Sequence, residues 1–310
     1  MERATLRKLF SLLAFVVSLI YLYRSVEPGE LLIALRGARY GYLLFAGALS
    51  LLNVLLSATR WYIVLRRVQN TDFKRTVQAF VSGYYLMAIL PPTLGHMAKV
   101  KLVGGDYFRA LSSLTFGMAA ETVVVLSLAL IFLDFTKLGL LGLSLIVLAF
   151  IYDGAFNRTA LAFFDLLEKL GAGRISRKLR GWWRRGYTAW KRAREARSSL
   201  LAVFLFSALG ILLQIFGLII VGKAFSLEIP FGRAFYAFVI SVVFASLSGI
   251  PSGIGANESG ILVGIGSSTK AFLTAFSYKF LFQYAYSIAG AFVFYRMLNR
   301  RGDGNEDSTG

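Results

Sequence analysis

The chain is predicted to be an all-α polytopic membrane protein, with about six full transmembrane helices and two re-entrant helical hairpins related as an inverted repeat. Three observations predict this. Hydrophobic residues make up 57% of the 310 residues and charged ones 16%, with a mean hydropathy of +0.65; soluble domains run to roughly 45–50% and about 25%. Several apolar runs approach the roughly 20 residues that a helix needs to cross a bilayer. Two of the apolar stretches are interrupted by Pro and Gly: Pro91, Pro92 and Gly95 in the first half, and Pro251, Gly253 and Gly255 in the second. Paired breaks of this kind in the two halves of a membrane protein point to a transport site.

The breaks also share a register. Pro91 and Gly95 match Pro251 and Gly255, Leu102-Val-Gly104 matches Leu262-Val-Gly264, and Phe116 matches Phe276. Every pair is separated by the same offset, which is the signature of an internal duplication.

Taken in order, the first span is 9–23, preceded by Arg3, Arg7 and Lys8. No small-residue cleavage site follows it, so it reads as a retained span that starts in the cytoplasm. The connection 27–40 then lies outside, and 42–65 returns to a basic inner loop with Arg66, Arg67, Lys74 and Arg75. Next come two short arms, 77–90 and 97–109, separated by Pro91-Pro92. If the first arm crossed outright, 111–133 and 138–151 would deliver residues 155–199 to the outside. That segment holds twelve Lys/Arg against three acids, half of the chain's net charge of +18. Positive charge belongs inside. A re-entrant hairpin restores it: 111–133 leaves, 138–151 returns, and 155–199 is cytoplasmic. The same logic makes 200–221 outward, 235–250 with 257–266 a second hairpin entered from outside, and 270–298 the last span. One membrane domain, 1–301, and a disordered polar tail, 302–310, complete the chain.

Within the basic segment, Leu179, Trp182, Trp183, Tyr187 and Trp190 recur every three or four residues. One helical face is aromatic and the other is Arg and Lys, the pattern of a helix in the interface plane with Trp182, Trp183 and Trp190 in the headgroup layer. The basic charge is read as topology and anionic lipid contact rather than nucleic-acid binding.

Charged groups inside spans are functional candidates. Arg60 lies late in the second span. His96, Lys99 and Lys101 open the half-helix after the first break, where free N–H groups and the helix dipole favour an anion. Glu121 lies mid-span and needs a partner, with Arg60 or Lys279 the candidates. Asn257 and Glu258 open the second half-helix, where an N-cap and a dipole-matched acid are the simplest reading. Lys279 lies inside the last span. No Cys and a single His exclude thiolate chemistry and a multi-histidine metal centre. No phosphate-cradling loop or nucleophile triad is present, so no enzyme, metal or other cofactor is expected.

Arg60-Trp61, Leu90-Pro91 with Gly95-His96 and Lys99, Glu121, and Pro251-Ser-Gly253-Ile-Gly255-Ala-Asn-Glu258 together resemble the transmembrane region of lysylphosphatidylglycerol synthetases, which also occurs as stand-alone flippase-like proteins. His96 stands where that family usually has Glu, Lys99 where it has Arg, and Thr122 where it has Arg. The resemblance implies movement of a charged or glycosylated lipid between leaflets, in the plasma membrane of a prokaryote; the charge distribution puts both termini in the cytoplasm. The aminoacyl-transferase domain of the synthetases is not expected in this chain. A channel or carrier for ions or small solutes, and a non-transporting accessory protein of envelope assembly, remain open. So do a homo-oligomer and a partner protein from lipid biosynthesis.

Overall fold

The computed structural model describes residues 3–90, 92–132, 144, 153–169, 173–195 and 197–306. The described elements are helices: α1 Arg3–Arg24, α2 Pro28–Arg36, α3 Tyr40–Val68, α4 Phe73–Ile89, α5 Pro92–Val103, α6 Tyr107–Phe132, α7 Asp153–Lys169, α8 Gly173–Glu195, α9 Arg197–Ala224, α10 Phe231–Ser248, α11 Ala256–Ile265, α12 Thr269–Lys279 and α13 Ala285–Glu306. A 3-10 turn, Pro251–Gly253, precedes α11, and a π turn, Phe280–Tyr284, joins α12 to α13. The protein is an all-α membrane protein. Among the described residues, four helices are long and apolar enough to cross a bilayer: Tyr40–Val68, Tyr107–Leu130, Ser199–Ala224 and Phe231–Ser248.

Several expectations change in detail. The expected span 138–151, apart from residue 144, and the break residue Pro91 lie outside the described residues. Phe231–Ser248, expected as one arm of a hairpin, has the length of a full span. The arm expected over 97–109 stops at Val103, and Arg109 belongs to α6. Asp106 makes that division, its carboxylate accepting the N–H groups of Phe108 and Arg109 at 2.9 and 3.0 Å as an N-cap does. Residues 302–306 continue α13 where the polar tail is expected.

The chain forms two compact units. One comprises Met1–Ala58, Lys74–Leu102 and Leu209–Gly310; the other Thr59–Phe73 and Val103–Ala208. In the first, Ile211, Ile215, Leu218 and Val221 are fully buried at helical spacing along α9. Two antiparallel helix pairs, α4–α5 and α10–α11, share a packing device. At Gly95 an added Cβ would sit 2.7 Å from the Met87 backbone. At Gly264 it would sit 2.4 Å from Ala237 Cα, and at Gly260, 2.6 Å from Ser241 Cα. Small residues let helix backbones approach where lipid supplies no hydrophobic drive between them.

In the second unit, Val64, Phe116, Ala120 and Val203 form the core, with Trp190, Leu200 and Phe204 packed on it. Its α8 gives the aromatics, expected in a headgroup layer, ring partners within the protein. Trp182 stacks on Phe108 of α6 at 5.2 Å, Trp190 meets Phe116 edge-on at 4.8 Å, and the Trp183 indole N–H donates to Asn157 of α7 at 2.9 Å. The aromatic face is therefore turned onto α6 and α7.

Candidate functional site

The first unit places its polar groups at the α10–α11 break. Helix α10 ends at Gly249 in the left-handed region, φ 64. The chain turns through Pro251–Gly253, and α11 starts after Gly255, whose φ of 83 is open to glycine at little cost. Ser252 adopts a φ of 56, uncommon for a residue with a side chain. Two donors fix it there: its carbonyl accepts from Asn257 Nδ2 at 2.8 Å and from Gln283 Nε2 at 2.7 Å. The other end of the Asn257 amide accepts from the Ser241 hydroxyl at 3.0 Å, so Asn257 ties the turn to α10.

Glu258 is 3% exposed. One carboxylate oxygen accepts the Gly255 N–H at 2.8 Å, and the other accepts the Tyr284 hydroxyl from the π turn. Lys279 lies within electrostatic reach of the same carboxylate. The Glu258 side chain reaches back to the residue that opens the helix, as the third residue of a capping box does. The N-cap is Gly255, so Asn257, expected at that position, lies inside α11 and acts on the turn. Two hydroxyls beside this network, Ser252 Oγ and Ser259 Oγ, are buried without a hydrogen-bond partner among the described residues. Buried polar groups are ordinarily paired, so this turn has hydrogen-bonding capacity to spare.

In the α4–α5 pair, Lys99 is 3% exposed. Its aliphatic stem crosses Gly83, where an added Cβ would come within 2.5 Å of Lys99 Cδ. Its ammonium lies 4.6 Å from the Phe80 ring centre, a cation–π arrangement. Half-buried His96 carries a buried Nδ1 with no partner among the described residues. Lys101 is exposed near the end of α5.

The second unit joins Arg60 to Glu121. Arg60 Nη2 donates to Glu121 Oε2 at 2.6 Å, and Nη1 donates to the Ser207 hydroxyl at 2.9 Å. The next residue, Trp61, donates to Ser113 Oγ at 3.0 Å. Of the sequence candidates, then, the structure joins Arg60 with Glu121; Asn257 and Glu258 are both buried at the second break without bonding each other, with Lys279 in electrostatic reach of Glu258.

Sequence reasoning missed Ser207, Ser241, Gln283 and Tyr284. The signal was there for Gln283 and Tyr284, polar residues within an apolar run. It was diluted because a π turn, not readable from residue spacing, brings them to the break. The two breaks, equated in sequence, also differ in backbone: α5 begins at Pro92, before Gly95, whereas α11 begins after Gly255.

Comparison with known proteins bears on the whole chain. No curated protein matches it. The family model described as the lysylphosphatidylglycerol synthase TM region matches residues 9–290, and the chain belongs to that family.

Proposed function

We propose that this member of the lysylphosphatidylglycerol synthase TM-region family is a flippase-like transporter that moves a charged or glycosylated phospholipid between leaflets. The observation that carries this reading is the α10–α11 break, where a buried carboxylate and two unpartnered hydroxyls line an irregular turn between apolar helices. Irregular backbone at membrane depth is tolerated only inside protein or beside a wet cavity. The family's description attaches this membrane region to a synthase of an aminoacylated phospholipid, which favours a lipid over a free ion.

Helices α5 and α11 rise only about 18 and 15 Å at 1.5 Å per residue, against a hydrocarbon core of about 30 Å. Each then ends within the bilayer; α4–α5 is a re-entrant hairpin, and in the second pair α10 has the length to cross while α11 turns back part of the way. A headgroup enters at the breaks while its tails stay in lipid. Glu258 and Asn257 take the positive or hydroxylated part of the headgroup. His96, Lys99, Lys101 and Lys279 compensate its phosphate. Arg60 and Glu121 satisfy each other and hold α3, α6 and α9 together. None of these roles needs a covalent step. The protein resides in the plasma membrane of a prokaryote with both termini cytoplasmic.

The test is movement of fluorescent anionic, zwitterionic and polyprenyl-phosphate lipids in proteoliposomes, with and without a proton gradient. Movement of one class above protein-free vesicles is expected. Release of entrapped ions without lipid movement would overturn the reading in favour of a channel.

A further inference from the structure

We propose that the second unit binds an anionic membrane phospholipid on α8, with an acyl chain in an aromatic pocket and the phosphate among arginines beside it. Nothing in the transport reading requires this site, and either can fail without the other.

The pocket has a volume of about 420 Å³ and is lined by Phe108, Leu111, Phe164, Trp182, Trp183 and Trp190 among others. That is within the roughly 300–1,000 Å³ of small-molecule sites. Its wall is apolar, and the tight contact of α6 with α8, where a Cβ on Gly186 would lie 2.9 Å from Ser112 Oγ, closes one side. Helix α8 presents a second, different cavity of about 210 Å³, lined by Arg109, Arg184, Arg185, Thr188 and Arg192 with Val68. Phe108 and Arg109 are consecutive, and the Arg185 guanidinium lies 4.7 Å from the Phe108 ring centre. The two cavities therefore border each other.

Charge selects the occupant. Helix α8 carries nine Lys/Arg and one Glu. Arg185 has the Asp106 carboxylate at 3.8 Å. No salt bridge from Arg109, Arg184 or Arg192 is seen among the described side chains. Guanidinium groups match phosphate oxygens in geometry and are weakly hydrated. A free anion would leave the aromatic pocket without purpose, and a neutral lipid would leave the arginines so. A phospholipid with net negative charge fills both, and basic segments at the cytoplasmic surface attract such lipids.

The readout is tryptophan fluorescence. Three of the four tryptophans line the pocket, and bromines on an acyl chain quench an indole they touch. The protein is placed in phosphatidylcholine nanodiscs, and brominated phosphatidylglycerol or brominated phosphatidylcholine is titrated in. The anionic lipid is expected to quench at a lower mole fraction. The double variant Arg184→Gln, Arg192→Gln, both exposed and tolerable to the fold, should lose that preference by roughly ten-fold or more, the scale of one lost hydrogen bond to a charged group. The variant Arg177→Gln, Lys191→Gln removes equal charge from α8 outside the cavity and should retain the preference. Equal quenching by the two lipids, or an equal loss in the second variant, overturns the site in favour of general surface attraction. Inorganic phosphate raising the melting temperature in detergent as much as the lipid does would make it a free-anion site and overturn the lipid assignment.

Discussion

At the scale of single residues, the two intramembrane acids differ in what holds them. Glu121 depends on one guanidinium, and its side chain is 34% exposed against 10% for Arg60. Removing one member leaves the other uncompensated, which in a buried pair is strongly destabilising; a hydrogen bond to a charged group accounts for about 1.5–3 kcal/mol, discounted here for the exposure of Glu121. Arg60→Met and Glu121→Leu are each expected to lower thermal stability in detergent, and the double variant by less than the sum. Additive losses would show that the pair is not coupled. Glu258, by contrast, is held by a backbone N–H and a tyrosine hydroxyl. Sequence reading left Arg60 and Lys279 as candidate partners of Glu121, because an intramembrane charge demands one, and the structure pairs it with Arg60. That reading could not give Ser207 or Tyr284, because which face of a uniformly apolar helix turns inward is not written in its periodicity.

Among the elements, the helix pairs depend on glycine contacts. Gly95→Val and Gly264→Val put carbon within 2.7 and 2.4 Å of facing backbone, where nothing flexible can give way. Overpacking of this kind costs roughly 1–3 kcal/mol, and both variants should show lower folded yield by size-exclusion chromatography. Gly41→Ala, with nothing within 4 Å of the added Cβ, should match the unsubstituted protein; a loss there as large as at Gly264 would contradict the packing argument. The α10–α11 pair was legible as arms 235–250 and 257–266, within a few residues of the observed bounds. Pro and Gly mark turns by mechanism, and that is why the breaks survived translation into structure. The fate of α8 did not, because an amphipathic aromatic stripe fits a headgroup layer and a neighbouring helix equally well, and only packing decides.

For the molecule as a whole, the fold class followed from composition, since 57% hydrophobic content cannot be buried by a soluble chain of this length. Topology followed from charge, and it can be measured. The chain has no cysteine, so single introduced thiols report without background. Lys74→Cys and Arg177→Cys should react with a membrane-impermeant maleimide only after permeabilisation, and Ser226→Cys in intact cells. Labelling of position 177 from outside would invert the arrangement and remove the case for a re-entrant α4–α5 hairpin. The central claim is that lipid passes the α10–α11 break, and the most direct measurement is the rate of labelled-lipid movement in proteoliposomes with Glu258→Gln beside the unsubstituted protein. Glutamine keeps the size of the side chain, so folding and insertion should match. The unsubstituted protein should move lipid, and the variant should do so ten-fold or more slowly, about 1.4 kcal/mol in the barrier. Equal rates for the two proteins would contradict the claim.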